Sequence, residues 1–502
     1  MKSLTCFFLL FIISCCAHAQ VDQMEIVWGE NIKSKKTIIT DILSIENQDE
    51  IYAIKQSMKL FNRETYLEKY QDLQLVEQVE LTQEFVSGEM LMQDILELNN
   101  HLYALNYRRS KIDKSLKAQA LITDDLSLSS EETTLYNIKF TRGRKNTIGE
   151  YERAISRNEQ RLAFVIGHPG EIESNEVVTI KVFDDQLQEL WKQKITIPYE
   201  KGLTNIESSI ISNEGIVYIL TTIYKDKKDR VRRERNYENF VLVVDSSGII
   251  AQHQLALKDK FIRELKLSAS SEGDLLCGGF YSNEGFTADG TFYMTIDANT
   301  FKIKNQSMMA FSIDFLTQGM SSRAKAKTKK KAQRGRNIGL AHIDFRDIIV
   351  KEDGGALLVG EHINIYTTTT TDANGNTSTT THYNYDDIYV INISADGKIE
   401  WAKKIPKFQH TTNDGGFYSS FFMVIHKDKI NFIFNERERK MYSLKVVSLN
   451  SKGEKTDGNL VSNSKKENLK IRPKSCEQIS DHEFILFSVS KKYNKLAKVT
   501  IN

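Results

Sequence analysis

Short β-rich runs separated by polar turns recur along almost the whole chain, and this repeat limits the possible folds more than any other property. Each repeat has an apolar run, a turn, a second run, a longer loop, a third run ending at Asp or Asn, a turn and a fourth run. Residues 265–308 show this order most clearly, and residues 206–257 and 345–405 repeat it. The composition is typical of strands separated by turn clusters.

The spacing of the first runs predicts the architecture. They fall near Ile39, Leu91, Tyr151, Ile206, Arg263, Arg346, Tyr418 and Ile471. A period of roughly 50 to 60 residues fits the four-stranded blade of a β-propeller. The sequence therefore predicts an all-β propeller with eight blades, seven being the alternative count. The one region with an arguable helical spacing, residues 66–85, also fits a period of two and is interpreted as strand.

The three tryptophans indicate how the ring closes. Trp191 and Trp401 occupy the fourth strands of their repeats, where an aromatic ring can pack on the neighbouring blade. Trp28 ends a lone leading run, residues 24–28, while the last repeat runs out after three strands. We expect the leading run to supply the missing fourth strand, which leaves no open sheet edge.

One repeat resembles a known family. In residues 394–405, SADGKIEWAKKI, a Gly is followed four residues later by a Trp, as Gly397 and Trp401 are here. This blade resembles those of quinoprotein-like (PQQ-type) propellers; at Trp191 the match is partial, because Leu187 takes the Gly position. The resemblance implies the propeller fold and no cofactor residues. More broadly, the chain looks like exported propellers of Gram-negative bacteria, which implies no activity.

The first twenty residues have the layout of a secretory signal peptide. A short positive start and an apolar run lead to Ala17-His18-Ala19. This predicts cleavage after Ala19 (signal peptide 1–19) and export of residues 20–502 to the periplasm or the cell exterior. A lipoprotein signal, with lipid anchoring at Cys15, is the alternative. No later run is long and apolar enough to be a transmembrane segment.

Cysteine and charge content constrain the mature chain further. Cleavage leaves Cys277 and Cys476, which lie in strand-like apolar runs. One pair is not a disulfide scaffold, so buried free thiols are the expected state. The formal net charge of the full chain is only +2. Any basic character is therefore local.

Residues 366–387, YTTTTTDANGNTSTTTHYNYDD, predict a folded hairpin. Asn374-Gly375 is typical of a two-residue turn, and Thr favours extended backbone. With that turn the predicted pairs are Thr371–Ser378, Thr369–Thr380, Thr367–His382 and Tyr366–Tyr383. The hairpin would continue the second and third strands of the sixth repeat into solvent. A solubilising overhang without a ligand is the alternative interpretation.

Two basic segments are expected on the same side as this hairpin. In a four-stranded meander, the connections between strands two and three and those between blades leave the same side of the ring. The three protruding loops predicted there span residues 224–237, 317–340 and 364–386. Their candidate binding residues are Lys227, Lys228, Arg232, Arg233, Lys329, Lys330, Lys331, Arg334, Tyr366, His382, Tyr383 and Tyr385. For residues 323–336 a disordered, solvated loop is the alternative.

Signals for catalysis and metal binding are weak. His342, His362, His382 and His410 lack the close spacing of a zinc pair, and no Gly-rich phosphate loop, Ser elbow or HExxH motif occurs. No metal or cofactor is predicted, and catalytic carboxylates from different blades cannot be paired from one sequence.

The leading functional hypothesis is an exported binding or scaffold propeller that recognises an envelope partner, either a protein or an anionic polysaccharide, through the basic loops. Nucleic acid is not an expected partner, because the basic run lacks interleaved aromatics. The alternatives are a propeller glycoside hydrolase or lyase with channel-facing carboxylates, and a structural subunit of an outer-membrane assembly.

Overall fold

The computed structural model describes residues 23–33, 37–44, 50–57, 64–81, 90–109, 113–139, 151–168, 173–232, 236–270, 272–283, 286–438, 441–461, 470–490 and 493–502. These residues form eight antiparallel sheets, which we number 1 to 8 in chain order. The N-terminal strands are β1 (Met24–Trp28) and β2 (Ile32–Lys33).

Sheets 1 to 4 follow one another along the chain. Sheet 1 contains β3 (Thr37–Ser44), β4 (Glu50–Ser57), β5 (Thr65–Gln71) and β6 (Gln74–Glu80). Sheet 2 contains β7 (Met90–Leu98), β8 (His101–Arg109), β9 (Asp113–Ile122), β10 (Ser127–Leu128) and β11 (Thr133–Lys139). Sheet 3 contains β12 (Tyr151–Ile155), β13 (Arg161–Gly167), β14 (Asn175–Asp184) and β15 (Glu189–Glu200). Sheet 4 contains β16 (Thr204–Ile211), β17 (Val217–Tyr224), β18 (Tyr237–Asp245) and β19 (Gly248–Leu255), with helix α1 (Lys227–Arg232) between β17 and β18.

Sheets 5 to 8 complete the series. Sheet 5 contains β20 (Phe261–Ala269), β21 (Leu275–Ser282), β22 (Gly290–Ile296) and β23 (Ile303–Ala310), and helices α2 (Ile313–Thr317) and α3 (Ser322–Gln333) follow it. Sheet 6 contains β24 (Ile343–Val350), β25 (Ala356–Thr371), β26 (Thr377–Ile393) and β27 (Ile399–Thr412). Sheet 7 contains β28 (Phe422–His426), β29 (Lys429–Glu438), β30 (Met441–Asn450) and β31 (Lys455–Val461). Sheet 8 contains β32 (Lys470–Ile471), a 3-10 helix (Pro473–Ser475), β33 (Glu477–Gln478), β34 (Glu483–Val489) and β35 (Tyr493–Ile501).

The burial of the strands follows their place in each sheet. Every residue of β17, VYILTTIY, is buried, because this second strand is covered on both faces by neighbouring sheets. The fourth strand β6, QLVEQVE, alternates exposed and half-buried residues, as a strand at the outer edge does. The region interpreted as strand from its period of two is thus confirmed over β5 and β6; residues 82–85 lie outside the described part.

The N-terminal strand closes the ring. β1 pairs antiparallel with β35, from Met24 opposite Ile501 to Trp28 opposite Ala497, and β2 pairs with the start of β35. Trp28 packs on the apolar cluster between sheets 7 and 8. The predicted closure is confirmed, and it removes a free edge that could pair with another chain.

Apolar clusters join each sheet to the next one. Eight such clusters occur among the described residues. The cluster that closes the ring joins sheet 8 to sheet 1 through Phe487, Leu496, Ile39 and Tyr70. The first strands of sheets 3, 4, 5 and 6 contact one another in succession, which places those strands at the centre of the ring. The all-β propeller class is therefore confirmed. That each sheet is one blade of an eight-bladed propeller stays a prediction.

Trp191, Trp401 and Cys277 lie in the environments that the sequence predicts. Trp191 on β15 and Trp401 on β27 each pack on the cluster shared with the following sheet. Both cysteines are free thiols as predicted, but only Cys277 is fully buried, whereas Cys476 is half-buried. Burial raises the pKa of the Cys476 thiol to about 12, which keeps it protonated and unreactive near neutral pH.

Candidate binding face

Several long connections leave the ring on one side. β25 and β26 are joined by residues 372–376, β23 and β24 by residues 311–342, and β17 and β18 by residues 225–236. Antiparallel neighbours reverse direction, so connections between second and third strands and connections between sheets emerge together. We call the side formed by these three segments the connector face.

Helix α2 fixes the connection between sheets 5 and 6. The Ser312 side chain caps α2 by accepting a hydrogen bond from the Phe315 backbone N–H, at 3.1 Å. Phe315 and Leu316 are buried in the cluster between sheets 5 and 6. Gly319 has φ +79° and lies against Pro406 of β27. This anchoring ties the connection to sheet 6.

The basic segment predicted as a loop is a helix, so that prediction is wrong. Ser321 caps α3 by accepting from the Ala324 N–H, and after Ser322 the helix contains only Ala, Lys, Arg, Thr and Gln, most of them strong helix formers. No residue of α3 is buried. The helix therefore lacks the apolar stripe by which helices are recognised in a sequence.

One side of α3 faces the protein. Its half-buried residues are Ala324, Lys325, Thr328, Lys329 and Ala332. The Asp314 carboxylate of α2 forms ion pairs with both cations of this side, with Lys329 Nζ at 3.1 Å and Lys325 Nζ at 3.7 Å. The hydrogen bond from Lys329 lowers the pKa of the Asp314 carboxyl. Lys329, predicted as a binding residue, is thus held in an ion pair.

The opposite side of α3 is cationic and exposed. Most of its basic residues are spaced three or four positions apart, and Lys331 directly follows Lys330, which places all of them along one side of a helix. They are Arg323, Lys327, Lys330 and Lys331, with Arg334 as the C-cap residue and Arg336 just beyond it. Among the described residues none of these six has an acidic partner within ion-pair distance. Lys330, Lys331 and Arg334 are brought together here as predicted candidates.

The threonine hairpin is folded, but its predicted register is wrong by one residue. The observed pairs include Thr371 with Thr377, Thr369 with Thr379 and Tyr366 with His382. Asp372 Oδ1 accepts from the backbone N–H groups of Asn374 and Asn376, at 2.9 Å each. Gly375 adopts φ +83°. The Asp372 N–H also donates to the Asn376 carbonyl at 2.9 Å, so three residues, 373–375, take the place of the predicted two-residue turn.

A ladder of stacked rings lies at the base of this hairpin. The rings of Tyr366 and His382 are 4.6 Å apart and inclined by 9°, and those of His382 and His410 are 5.5 Å apart and inclined by 9°. His382 Nδ1 lies 3.2 Å from His410 Nε2, and Thr368 Oγ1 lies 2.9 Å from His382 Nε2. Tyr366 is 44% exposed, so the outer end of the ladder is open to solvent.

Tyr383 and Tyr385 do not join this ladder. Successive strand residues point to opposite faces, so both rings lie on the other side of β26 from His382. A Cβ at Gly416 would lie 3.1 Å from the Tyr385 ring and 3.3 Å from the Tyr383 ring. These tyrosines therefore pack against the connection to sheet 7, and burial raises the pKa of Tyr385.

The tip of sheet 4 contributes less free positive charge than its sequence indicates. Lys227 Nζ lies 3.1 Å from Glu200 Oε2 and 3.6 Å from Glu173 Oε1. Lys228, also on α1, has no ion-pair partner among the described residues. The end of α1 includes Arg232, and Arg233 lies outside the described part of the chain.

The first strands carry acidic residues that the sequence analysis missed. Five of these strands have a register shift that inserts one extra residue, at Thr40, Gln93, Glu207, Arg263 and Arg346. Such bulges redirect side chains. The recurring signal was visible in the sequence as residues 39–42, 92–95, 262–265 and 345–348, in which an acid follows the inserted residue.

Two of these acids interact across sheets 1 and 2. Burial, and then the Asp94 charge, raises the pKa of the Asp41 carboxyl, while Arg472 opposes the shift. Asp94 Oδ2 accepts from Arg153 Nη1 at 3.1 Å. Arg472 donates to the Ile39 carbonyl at 2.8 Å. The centre of the ring therefore holds neighbouring carboxyls in different electrostatic environments.

No family model and no curated protein matches the chain. Among solved structures it is similar to the WD40 domain of SCAP from fission yeast, with 7% identity, 96% of this chain and 94% of that chain covered, and a TM-score of 0.39. It is also similar to the β-propeller domain of the Trilobed protease from Pyrococcus furiosus, with 8% identity, 86% and 97% covered, and a TM-score of 0.37. The polysaccharide lyase Uly1 gives 12% identity, 81% and 89% covered, and a TM-score of 0.35.

Among the helices that the structure describes, none is long and apolar enough to cross a membrane.

Proposed function

We propose that this protein is an exported binding propeller that recognises an anionic polysaccharide through the connector face. The observation that carries the proposal is the exposed cationic side of α3. Four aligned cations of the twelve-residue helix, with Arg334 at its C-cap, have no acidic partner among the described residues. A linear polymer with regularly spaced carboxylates or sulfates can meet several of these charges at once.

The ion pairs between α2 and α3 show which cations of α3 remain available to a ligand. Lys325 and Lys329 pair with Asp314 on the inner, half-buried side of α3, so Arg323, Lys327, Lys330, Lys331 and Arg334 lie on the outer side. A cationic surface held in a defined geometry loses less conformational entropy on binding than a disordered tail does.

Sheet 6 supports the glycan over a protein partner. α2 packs against β27, the strand that carries His410 of the ring ladder. Phe408 of the same strand is 75% exposed and Tyr366 is 44% exposed. Open aromatic faces can stack on the C–H faces of sugar rings, and the neighbouring cations can pair with acidic groups of the same polymer.

Export of residues 20–502 belongs to this proposal. Mass spectrometry of protein recovered from its native host is expected to give Gln20 as the first residue, because Ala17-His18-Ala19 fits the cleavage site. A lipid-modified Cys15 in that sample would show that the protein is anchored by a lipid and is not cleaved after Ala19.

The direct test compares binding of the mature protein to beads coated with polygalacturonate and to beads coated with neutral dextran. Retention is expected on polygalacturonate alone. Reversing three exposed charges, Lys327→Glu, Lys330→Glu and Lys331→Glu, is expected to weaken retention at least tenfold. Folding should be unaffected, because these side chains lie on the exposed side of α3.

The matched control carries the same change of charge away from the connector face. Lys192, Lys194 and Lys452 are exposed on sheets 3 and 7, and their triple replacement by Glu should leave retention within twofold. Equal losses in both triple variants would show that net charge, rather than α3, governs binding. Retention on dextran as strong as on polygalacturonate would reject the anionic ligand.

A second candidate function is glycan cleavage at the ring centre, favoured by the carboxyl pair of Asp41 and Asp94. A raised pKa on one acid beside a second, ion-paired acid suits general acid–base chemistry. The test is release of new reducing ends from acidic and neutral polysaccharides, with Asp41→Asn as the inactive reference. Binding without any cleavage would leave the binding function alone.

A further inference from the structure

A cavity of about 420 Å³ lies between sheets 4 and 5, at the ends of the strands that border the connector face. Its wall comes from the start of β16 and β20 and from the junction of β17 and β18, so four separate strands build it. Small-molecule sites in proteins occupy roughly 300–1,000 Å³. The cavity is thus large enough for one sugar residue and too small for a folded segment of a partner protein.

The polar groups of the wall are set in place by the fold. Glu207 and Arg263 are the inserted residues of the bulges in β16 and β20, which redirect side chains relative to a regular strand. Thr222 Oγ1 donates to Asn239 Oδ1 at 3.0 Å. This bond fixes the orientation of the Asn239 amide. The Nδ2 group of Asn239 has no hydrogen-bond partner among the described residues.

An aromatic corner completes the wall. The rings of Tyr224 and Tyr237 are 5.2 Å apart at 60°, and the Tyr237 ring meets that of Phe261 at 4.8 Å. The Tyr237 hydroxyl donates to the Ile262 carbonyl at 3.0 Å, which fixes the ring. Rigid aromatic rings beside hydroxyl, amide and carboxylate groups form a surface that suits a sugar ring, with C–H groups on one face and hydroxyls at its edge.

The charge of the wall selects among sugars. Glu207 and Glu264 contribute two negative charges and Arg263 contributes one positive charge. An acidic sugar would meet a net negative wall, whereas a neutral or amino sugar would not. We propose that this cavity is a binding site for a single sugar residue that carries no negative charge. The proposal does not rest on polymer binding by α3, since the two sites use different sheets and opposite charges.

Three soluble probes test the site on the mature protein: the methyl glycosides of a neutral hexose, of a 2-amino hexose and of a hexuronic acid. Titration by saturation-transfer NMR is expected to give saturable binding of the first two, with a Kd of about 1 mM or below. The hexuronide is expected to bind at least tenfold more weakly.

Two Glu→Arg variants locate the binding. Glu207→Arg inserts a long cation at the cavity wall and is expected to weaken sugar binding at least tenfold. Glu207 is exposed, so the fold should persist, and Glu214→Arg, an exposed site in the turn at the other end of sheet 4, is the matched control. The control and the α3 triple variant should both bind sugar within twofold of the parent protein.

A second variant of the cavity wall keeps the proposal testable if Glu207→Arg fails to fold. Arg263→Gln removes the only cation of the wall and is expected to strengthen amino-hexose binding several-fold while leaving the neutral hexose within threefold. Absence of saturable binding for all three probes would overturn the site. Tightest binding of the hexuronide, or unchanged binding by Glu207→Arg, would overturn it as well.

Discussion

Lys407 Nζ lies 2.8 Å from Glu361 Oε1, and neither side chain is accessible to solvent. Glu361 Oε2 also accepts from Ser420 Oγ at 2.7 Å, and the Lys407 ammonium donates to the Tyr385 carbonyl at 2.8 Å. Burial lowers the pKa of Lys407, while Glu361 acts against the shift. This pair joins β25 and β27 at the base of the extended hairpin.

Breaking this pair is expected to be costly. Lys407→Met leaves the buried Glu361 carboxylate with only Arg346, whose Nε lies 3.8 Å from Glu361 Oε2, as a counter-ion, and should reduce the free energy of unfolding by about 3 kcal/mol. The double variant Glu361→Gln/Lys407→Met should recover at least half of that loss, because no buried charge remains. Urea unfolding measures both. The exposed pair of Lys398 and Asp396 in the same sheet is the control, and Lys398→Met should have no measurable effect.

Ring closure predicts a sharp contrast between adjacent residues of β1. Ile26 packs on the cluster between sheets 7 and 8, whereas Val27 is 56% exposed. Ile26→Asp should lower the free energy of unfolding by about 2–4 kcal/mol, since a charge would enter an apolar contact. Val27→Asp should change it by at most about 0.5 kcal/mol. Similar unfolding midpoints for the two variants in urea would contradict the pairing of β1 with β35.

The hairpin predicts a separation between its tip and its base. Thr368 and Thr380 are paired, so residues 369–379 can be replaced by Asn-Gly without disturbing the ring ladder below them. This shortened protein should melt within about 2 °C of the parent, because the removed side chains are exposed. It should also keep its affinity for polygalacturonate, whereas Tyr366→Ala should weaken it several-fold. A loss of affinity on shortening alone would move the contact to the tip.

Glu97 predicts a specific pH dependence. Burial, and then the Glu159 charge, raises the pKa of Glu97 to about 7 from the usual 4.5. The folded state therefore binds a proton more strongly than the unfolded state, so the stabilisation is complete below pH 4.5 and is lost as pH rises to about 7. Glu97→Gln should gain about 1–2 kcal/mol relative to the parent protein over that interval, allowing for partial solvent screening.

The pH effect has its own control. Glu159→Gln should bring the pKa of folded Glu97 closer to its usual value, because one of the two causes of the raised pKa is removed. The pH interval over which stability is lost should therefore become narrower. Urea unfolding of the three proteins at the two ends of the interval gives the differences. An unchanged difference between Glu97→Gln and parent at both ends would contradict the raised pKa.

Much of the ring was predictable because its signals are repeated and local. The positions of Trp191 and Trp401 marked fourth strands, and the unmatched strand ending at Trp28 predicted the closure. The same pattern of apolar runs and turns recurs in every sheet, so each sheet can be predicted independently of the others. One misplaced boundary therefore does not change the architecture.

Other features depend on contacts that no periodicity reveals. The register of the hairpin is decided by Asp372, which captures two backbone N–H groups and enlarges the turn around Asn374 and Gly375. Helix α3 was missed because its stability comes from the Ser321 cap and helix-forming residues, with an ion pair to Asp314. The approach of Asp41 and Asp94 requires the packing of sheet 1 on sheet 2.

The most direct test of binding by α3 is the salt dependence of polygalacturonate affinity, measured by isothermal titration of the parent protein and of Lys327→Glu/Lys330→Glu/Lys331→Glu. Exposed charges are screened as the Debye length falls from about 30 Å at 0.01 M salt to about 8 Å at 0.15 M. The parent protein should bind at low salt and lose at least tenfold in affinity over this range, while the variant should bind weakly throughout. Equal affinity and equal salt dependence of the two proteins would contradict polysaccharide recognition by this helix.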